Sequence, residues 1–155
     1  MAITDPSGNI EAFLTDLARQ YIARAVNGEL VYKLESFYCG RGGYNPTDPF
    51  SGVLPVNTAD VALADQVYPT ASTYASYESI EQPTMTSLVV NCRLPSTPSP
   101  SNADYGLGEI GVWARILTSN VPSEIGQLFL YALAHFPARG KTFRDVFLLR
   151  PTIQL

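Results

Sequence analysis

Between Ile10 and Val26 apolar side chains recur at a helical spacing: Ile10, Phe13, Leu14, Leu17, Ala18, Tyr21, Ile22, Ala25 and Val26. Steps of three and four place them along one side of an α-helix. Such a stripe is stable only when it is covered, so the rest of the chain must supply an apolar surface to receive it. Glu11 and Asp16 lie toward the start of this stretch, and Arg19 and Arg24 toward its end. That order suits the helix dipole. Asn27-Gly28 supplies a stop. The pattern predicts a helix over residues 9–26.

The surface that receives it reads as β. Leu30 to Cys39 alternates, with Leu30, Tyr32, Leu34 and Ser36 on one face and Val31, Lys33, Glu35 and Phe37 on the other. Gly40-Arg41-Gly42-Gly43 ends this strand. Residues 44–60 carry Pro46, Pro49, Gly52 and Pro55 among Asn, Asp, Thr and Ser, the composition of an ordered loop. A short helix or extended piece is expected near Ala59 to Val67, and extended chain from Thr70 to Ile80. Met85 to Leu94 is expected to be a strand. Pro95 to Tyr105 reads as a long exposed loop.

Leu107 to Leu117 reads as extended, with Gly111 a weak spot or bulge. Thr118 to Ser123 is expected to turn. The Ala and Leu content of Gln127 to Phe136 permits a helix, but its neighbours are strands, and a strand is the reading adopted. Pro137 to Lys141 is expected to turn again, before a last strand from Thr142 to Leu149. The sum is one α+β domain over residues 1–155. It has an N-terminal amphipathic helix packed on an antiparallel β-sheet or β-sandwich-like body over residues 30–153, with exposed loops at about 40–58 and 95–106.

Composition bears on partners. Charged residues make up 15% of the chain, well below the roughly 25% of an average soluble domain. A weakly charged surface suits a chain that buries part of its outside against neighbours. Nine tyrosines and seven phenylalanines supply strand formers and contact residues. The formal net charge is −4, with no run of Lys or Arg, so nucleic acid is not an expected partner. No apolar run approaches the roughly 20 residues that cross a bilayer, and the start has no basic region leading into an apolar core. No membrane partner is expected, and synthesis in a cytoplasm is.

Few residues offer chemistry. Cys39 and Cys92 lack metal-binding spacing and read as buried free thiols, with a disulfide as the alternative. His135 is the single histidine and lies inside an apolar run, so a core or interface role is expected rather than general-base work. The glycines of residues 40–43 lack the Lys-Ser/Thr ending of a phosphate cradle and read as a turn. Glu78, Glu81, Asp104 and Glu109 are the acids that a carboxylate pair would draw on, and solvated positions are expected for them. Asn45, Asp48, Asn57 and Asp60 do not follow a calcium-loop spacing and are expected to shape turns. Tyr68, Tyr74, Tyr77, Phe37, Phe129 and Phe143 divide between core and contact surface, and Trp113 is expected to anchor the core. No catalytic residue, cofactor or metal is expected.

The order of these parts resembles the N-terminal region of tail-collar fibre proteins of contractile-tailed bacteriophages. Phe13-Leu14-Thr15, Ala18, Ala23 and Ala25 match that family's first helix. Gly40, Gly43, Pro46, Asp48, Pro49 and Leu54-Pro55 match its Gly-rich turn and Pro-rich loop. Glu109-Ile110-Gly111-Val112-Trp113 matches an acidic-aliphatic-Gly-apolar-aromatic strand, Leu128 to Pro137 the segment after it, and Phe143 to Ile153 the closing strand. The resemblance spans nearly the whole chain through shared order rather than any one motif. It departs from the family in the length of the loop at Pro95 to Tyr105, and the fibre shaft of the family's longer members is not expected here. It implies a structural virion protein, without enzymatic activity, that anchors or adapts a tail fibre to the tail baseplate. The implied partners are a baseplate wedge protein and a fibre or spike protein, in a homo-oligomer or multi-copy ring. A carbohydrate-binding module at the tail tip, a head–tail completion protein and a small hydrolase using His135 are the other readings.

Overall fold

The computed structural model describes residues 9–45, 47, 53–68, 75–94, 105–141 and 147–155. It is mostly β, with one α-helix, and the helix is not the first element. Strand β1 (Asn9–Leu14) precedes α1 (Asp16–Val26). Then come β2 (Leu30–Gly40), β3 (Gln66–Tyr68), β4 (Ala75–Ser76), β5 (Ser79–Thr84), β6 (Ser87–Leu94), β7 (Tyr105–Ser119), β8 (Leu128–Lys141) and β9 (Phe147–Gln154). Hydrogen bonding runs in the order β3-β2-β7-β8-β1-β9-β6-β5, with β4 also on β2.

The first part of the expected helix is therefore a strand. Ile10, Ala12 and Leu14 are buried while Glu11 and Phe13 are exposed, an alternation with the period of a strand. Ile10, Phe13 and Leu14 fit both periods, and the available partners decided between them. β1 pairs in parallel with β9 from Asn9↔Arg150 to Ala12↔Ile153. Its last residues pair antiparallel with β8 at Phe13↔Leu133 and Leu14↔Ala132. β1 thus joins two arms, β2-β7-β8 on one side and β9-β6-β5 on the other.

The arms share one core. Phe37, Ile110, Val112 and Phe136 from one side cluster with Val90, Cys92, Leu149 and Ile153 from the other. α1 lies over β8 and β2, burying Ala18 and laying Leu17, Tyr21 and Ile22 against that core. The Tyr21 ring meets Phe129 edge-on at 4.7 Å between centroids. Thr15 starts the helix. Its Oγ1 accepts the Ala18 N–H at 3.0 Å and donates to the Leu130 carbonyl at 2.6 Å, so one hydroxyl both caps α1 and ties it to β8.

Other boundaries also moved. Met85 and Thr86 form the turn of the β5–β6 hairpin, so that strand starts at Ser87 rather than Met85. Ala59 to Asp65 holds turns and bends, and only Gln66–Tyr68 is a strand. Pro137 to Lys141 continues β8 instead of turning. Register shifts there, with His135 opposite Glu109 and Arg139 opposite Leu107, and Pro137 falls in the irregular stretch, where a missing N–H does not interrupt the ladder. The irregularity expected at Gly111 lies one step on, between Val112 and Trp113. The last strand is Phe147–Gln154. Pro46, Asp48, Pro49, Tyr74, Asp104, Phe143 and most of the loop expected from Pro95 to Tyr105 lie outside the described residues.

Candidate functional site

The glycine turn and the acidic-Ile-Gly strand, far apart in sequence, meet in the fold. β2 pairs with β7 so that Gly40 lies opposite Glu109 and Tyr38 opposite Gly111. Glu109 is only 1% exposed. Its Oε2 accepts N–H donors from Gly42 and Asp65, both at 2.9 Å, and its Oε1 accepts the Ala64 N–H at 3.0 Å. A buried carboxylate that takes three backbone donors works as a rivet. It fixes the turn at residues 41–43 to the returning segment at residues 64–65. Arg41 reinforces the junction through its N–H to the Asp65 carbonyl at 2.9 Å and its Nε to Asp65 Oδ2 at 2.8 Å.

The glycines make room for this junction. A Cβ on Gly42 would lie 2.5 Å from Glu109 Oε2, and one on Gly43 would strike the Gly108 carbonyl. Gly43 also has φ +89, where side chains are strained. At Gly111 an added Cβ would meet the Trp113 ring at 2.5 Å and Leu130 at 2.9 Å. Trp113 is a core anchor, as expected. With Leu130 and Leu133 it builds a second cluster on the outer face of β7 and β8, covered by Tyr38, Val56 and Leu63. The Tyr38 and Trp113 rings sit 4.7 Å apart. The segment at residues 54–65 is thus a flap over the outside of the sheet, pinned by Glu109 at one end.

At the other end the flap is held by the histidine. His135 Nδ1 lies 2.8 Å from the Leu54 carbonyl, and because a carbonyl only accepts, Nδ1 carries the proton. Beside it opens a groove of about 440 Å³, lined by Glu11, Phe13, Val53, Leu54, Pro55 and His135. Three of these side chains are large, apolar and well exposed: Phe13 at 41%, Val53 at 42% and Leu54 at 45%. Phe13 faces outward because β1 is a strand, and a helix would have turned it toward the core. The helical stripe put Phe13 on the covered side, whereas it is exposed, and Leu54 was marked only through the family-like order. Nothing local joins Phe13, Leu54 and His135.

The remaining candidates hold structural positions. Glu78 pairs with Arg93 at 2.8 Å. Glu81 pairs with Arg150 at 3.1 Å and accepts from Asn91. Those two contacts, the Asn91 hydrogen bond first, hold the Glu81 carboxyl below its ordinary range. Asn45 Oδ1 accepts from the Thr47 N–H and hydroxyl, and Asn57 Oδ1 from the Ala59 N–H, both turn-forming contacts. Cys39 and Cys92 are free and fully buried, and burial pushes both thiols up. Among the described residues no cluster of His, Cys, Asp and Glu is suited to hold a metal ion. No described helix is long and apolar enough to cross a membrane.

No family model matches the chain, and neither a curated protein nor a solved structure matches it.

Proposed function

We propose that this chain is a structural, non-enzymatic module of a contractile bacteriophage tail, which anchors or adapts a tail fibre to the baseplate. The observation that supports this most is the apolar groove around Phe13, Val53 and Leu54. Neighbouring large apolar side chains at this exposure, where β1 meets the start of a flap held at both ends, suit a preformed docking face. A stable contact covers about 800 Å² on each partner, about a tenth of the 8050 Å² surface of this chain. Side chains with reactive potential are engaged elsewhere: Glu109 in the rivet and His135 Nδ1 on Leu54. The partners under this reading are a baseplate wedge protein on one side and a fibre or spike protein on the other. The chain would be repeated around the tail axis and present in the virion.

The test is co-expression with the baseplate and fibre proteins of the same particle, followed by size-exclusion chromatography with light scattering. A stable complex is expected, and Phe13→Asp or Leu54→Asp should remove it while leaving the free chain folded. A chain that stays monomeric beside every structural protein of its particle would refute the proposal.

A further inference from the structure

Of the chain's asparagines, only Asn27 is followed by glycine. The pair ends α1 and is exposed to solvent. An asparagine in this setting can lose its own amide. The Gly28 backbone nitrogen gives up its proton to hydroxide and attacks Asn27 Cγ. The Cγ–Nδ2 bond breaks, ammonia leaves, and a cyclic imide closes. Water then opens the ring. Opening at the backbone carbonyl leaves isoaspartate, whose main chain runs through Cβ and Cγ, and opening at Cγ leaves aspartate. A water is consumed and an ammonia released, with nothing oxidised or reduced. Glycine favours the attack because it carries no Cβ, and even a Cβ added to Gly28 would find nothing within 4 Å.

The fold sets the rate through the helix cap. Asn27 has φ −83 and ψ 4, so the Gly28 nitrogen lies beside Asn27's own nitrogen and away from Cβ. The ring closes only after ψ rotates. The Gly28 N–H donates to the Ala25 carbonyl at 3.0 Å and the Glu29 N–H to the Arg24 carbonyl at 2.9 Å. These are the paired bonds of a Schellman cap, with Gly28 at φ +76. The proton that must leave is therefore held. Arg24 braces the same turn through Glu124 at 2.8 Å and Glu29 at 3.5 Å. Rotation and proton loss both require the cap to open, and helix ends open at far lower cost than the whole domain.

We propose that Asn27 is a self-modification site gated by the C-cap of α1: it converts to isoaspartate only while the cap is open, and conversion then keeps the cap open. Isoaspartate adds a main-chain carbon ahead of Gly28, so Gly28 and Glu29 no longer reach Ala25 and Arg24 together. It also sets a carboxylate at the helix C-terminus, where the dipole disfavours it. The Glu29 carbonyl accepts the Asn120 N–H at 2.8 Å, so the loosening passes to the turn between β7 and β8. The site lies at the opposite end of α1 from Phe13 and does not rest on the docking role.

Peptide mapping by mass spectrometry, with an isoaspartyl methyltransferase assay, tests this on the full chain held at mildly alkaline pH. Asn27 is expected to convert before any other asparagine, mainly to isoaspartate. Conversion should be about tenfold faster in guanidinium chloride than in the folded chain, because chemistry slower than opening follows the open population. Arg24→Met should shrink that ratio several-fold and Glu124→Gln should shrink it less, with circular dichroism confirming that both fold. Asn27→Ser should abolish the product. In the converted chain, amide exchange at Gly28, Glu29 and Asn120 should be faster than in the parent. The proposal is overturned if another asparagine converts first, or if folded and unfolded chains convert equally fast. It is also overturned if the folded chain stays intact long after the unfolded one has converted, or if Arg24→Met and Glu124→Gln leave the ratio unchanged.

Discussion

Replacing Glu109 tests how the flap is held. In Glu109→Ala the N–H groups of Gly42, Ala64 and Asp65 lose their acceptor together. An unsatisfied buried donor costs about 1–3 kcal/mol. Gly42 is half-buried, whereas Ala64 and Asp65 are exposed, so water can recover part of the loss at those two. A total near 3 kcal/mol results, a large share of the roughly 5–15 kcal/mol that holds a domain together. At about 2–4 °C per kcal/mol for a chain of this size, Tm should fall by roughly 6–12 °C. Glu109→Gln is the finer test. It keeps one acceptor oxygen but turns an amide NH₂ toward a backbone donor, costing about 1.5 kcal/mol. Urea denaturation gives both values, and amide exchange shows where the structure loosens: Gly42, Ala64 and Asp65 should exchange much faster, with Ile110 and Val112 little changed. If Glu109→Ala unfolds within about 0.5 kcal/mol of the parent, within the range of ordinary surface changes, the carboxylate does not rivet the flap.

Thr15→Ala removes the α1 cap and leaves the Leu130 carbonyl without its donor; a loss of about 2 kcal/mol in urea denaturation is expected, and Thr15→Ser should restore most of it. Glu124 is held below its ordinary value of 4.5, first by hydrogen bonds from Arg24 and then from Ser119. A depressed carboxylate contributes stability above that ordinary value and loses it as pH falls through the lowered one, so the stability gap between parent and Glu124→Gln should close on acidification. Urea midpoints from neutral pH down through the carboxylate range check this, and a gap independent of pH would contradict it. Cys39 and Cys92 are buried thiols with raised pKa, so neither should react with a thiol reagent until the chain unfolds, when both should react together.

The residues whose role is local were legible in the sequence. Leu30 to Cys39 was legible as a strand, but not in its faces: a register shift between Leu34 and Ser36 breaks the alternation and brings Phe37, expected on the face opposite Leu34, into the same core. Asn27-Gly28 stops a helix because Gly28 takes φ +76, a backbone conformation glycine adopts freely. Trp113 was placed in the core by its size, and the cysteines were read as buried thiols from their isolation. Even the N-terminus of α1 was marked locally, since Thr15-Asp16 is a cap and an acidic first turn. The apolar stripe, running unbroken from Ile10 to Val26, masks that cap.

Tertiary structure decided what depends on long-range partners. Ile10 to Leu14 carries apolar spacing compatible with helix and strand, and pairing with β9 and β8 resolved it; that choice also turned Phe13 outward and created the groove beside it. Glu109 looked like a solvated acid because its donors lie 44, 45 and 67 residues away in sequence. The hydroxyls of Tyr32 and Tyr131 meet across 99 residues. A sequence states the period and chemistry of each segment, but a site assembled from several strands exists only once hydrogen-bond pairing has fixed which strands are neighbours and in what register.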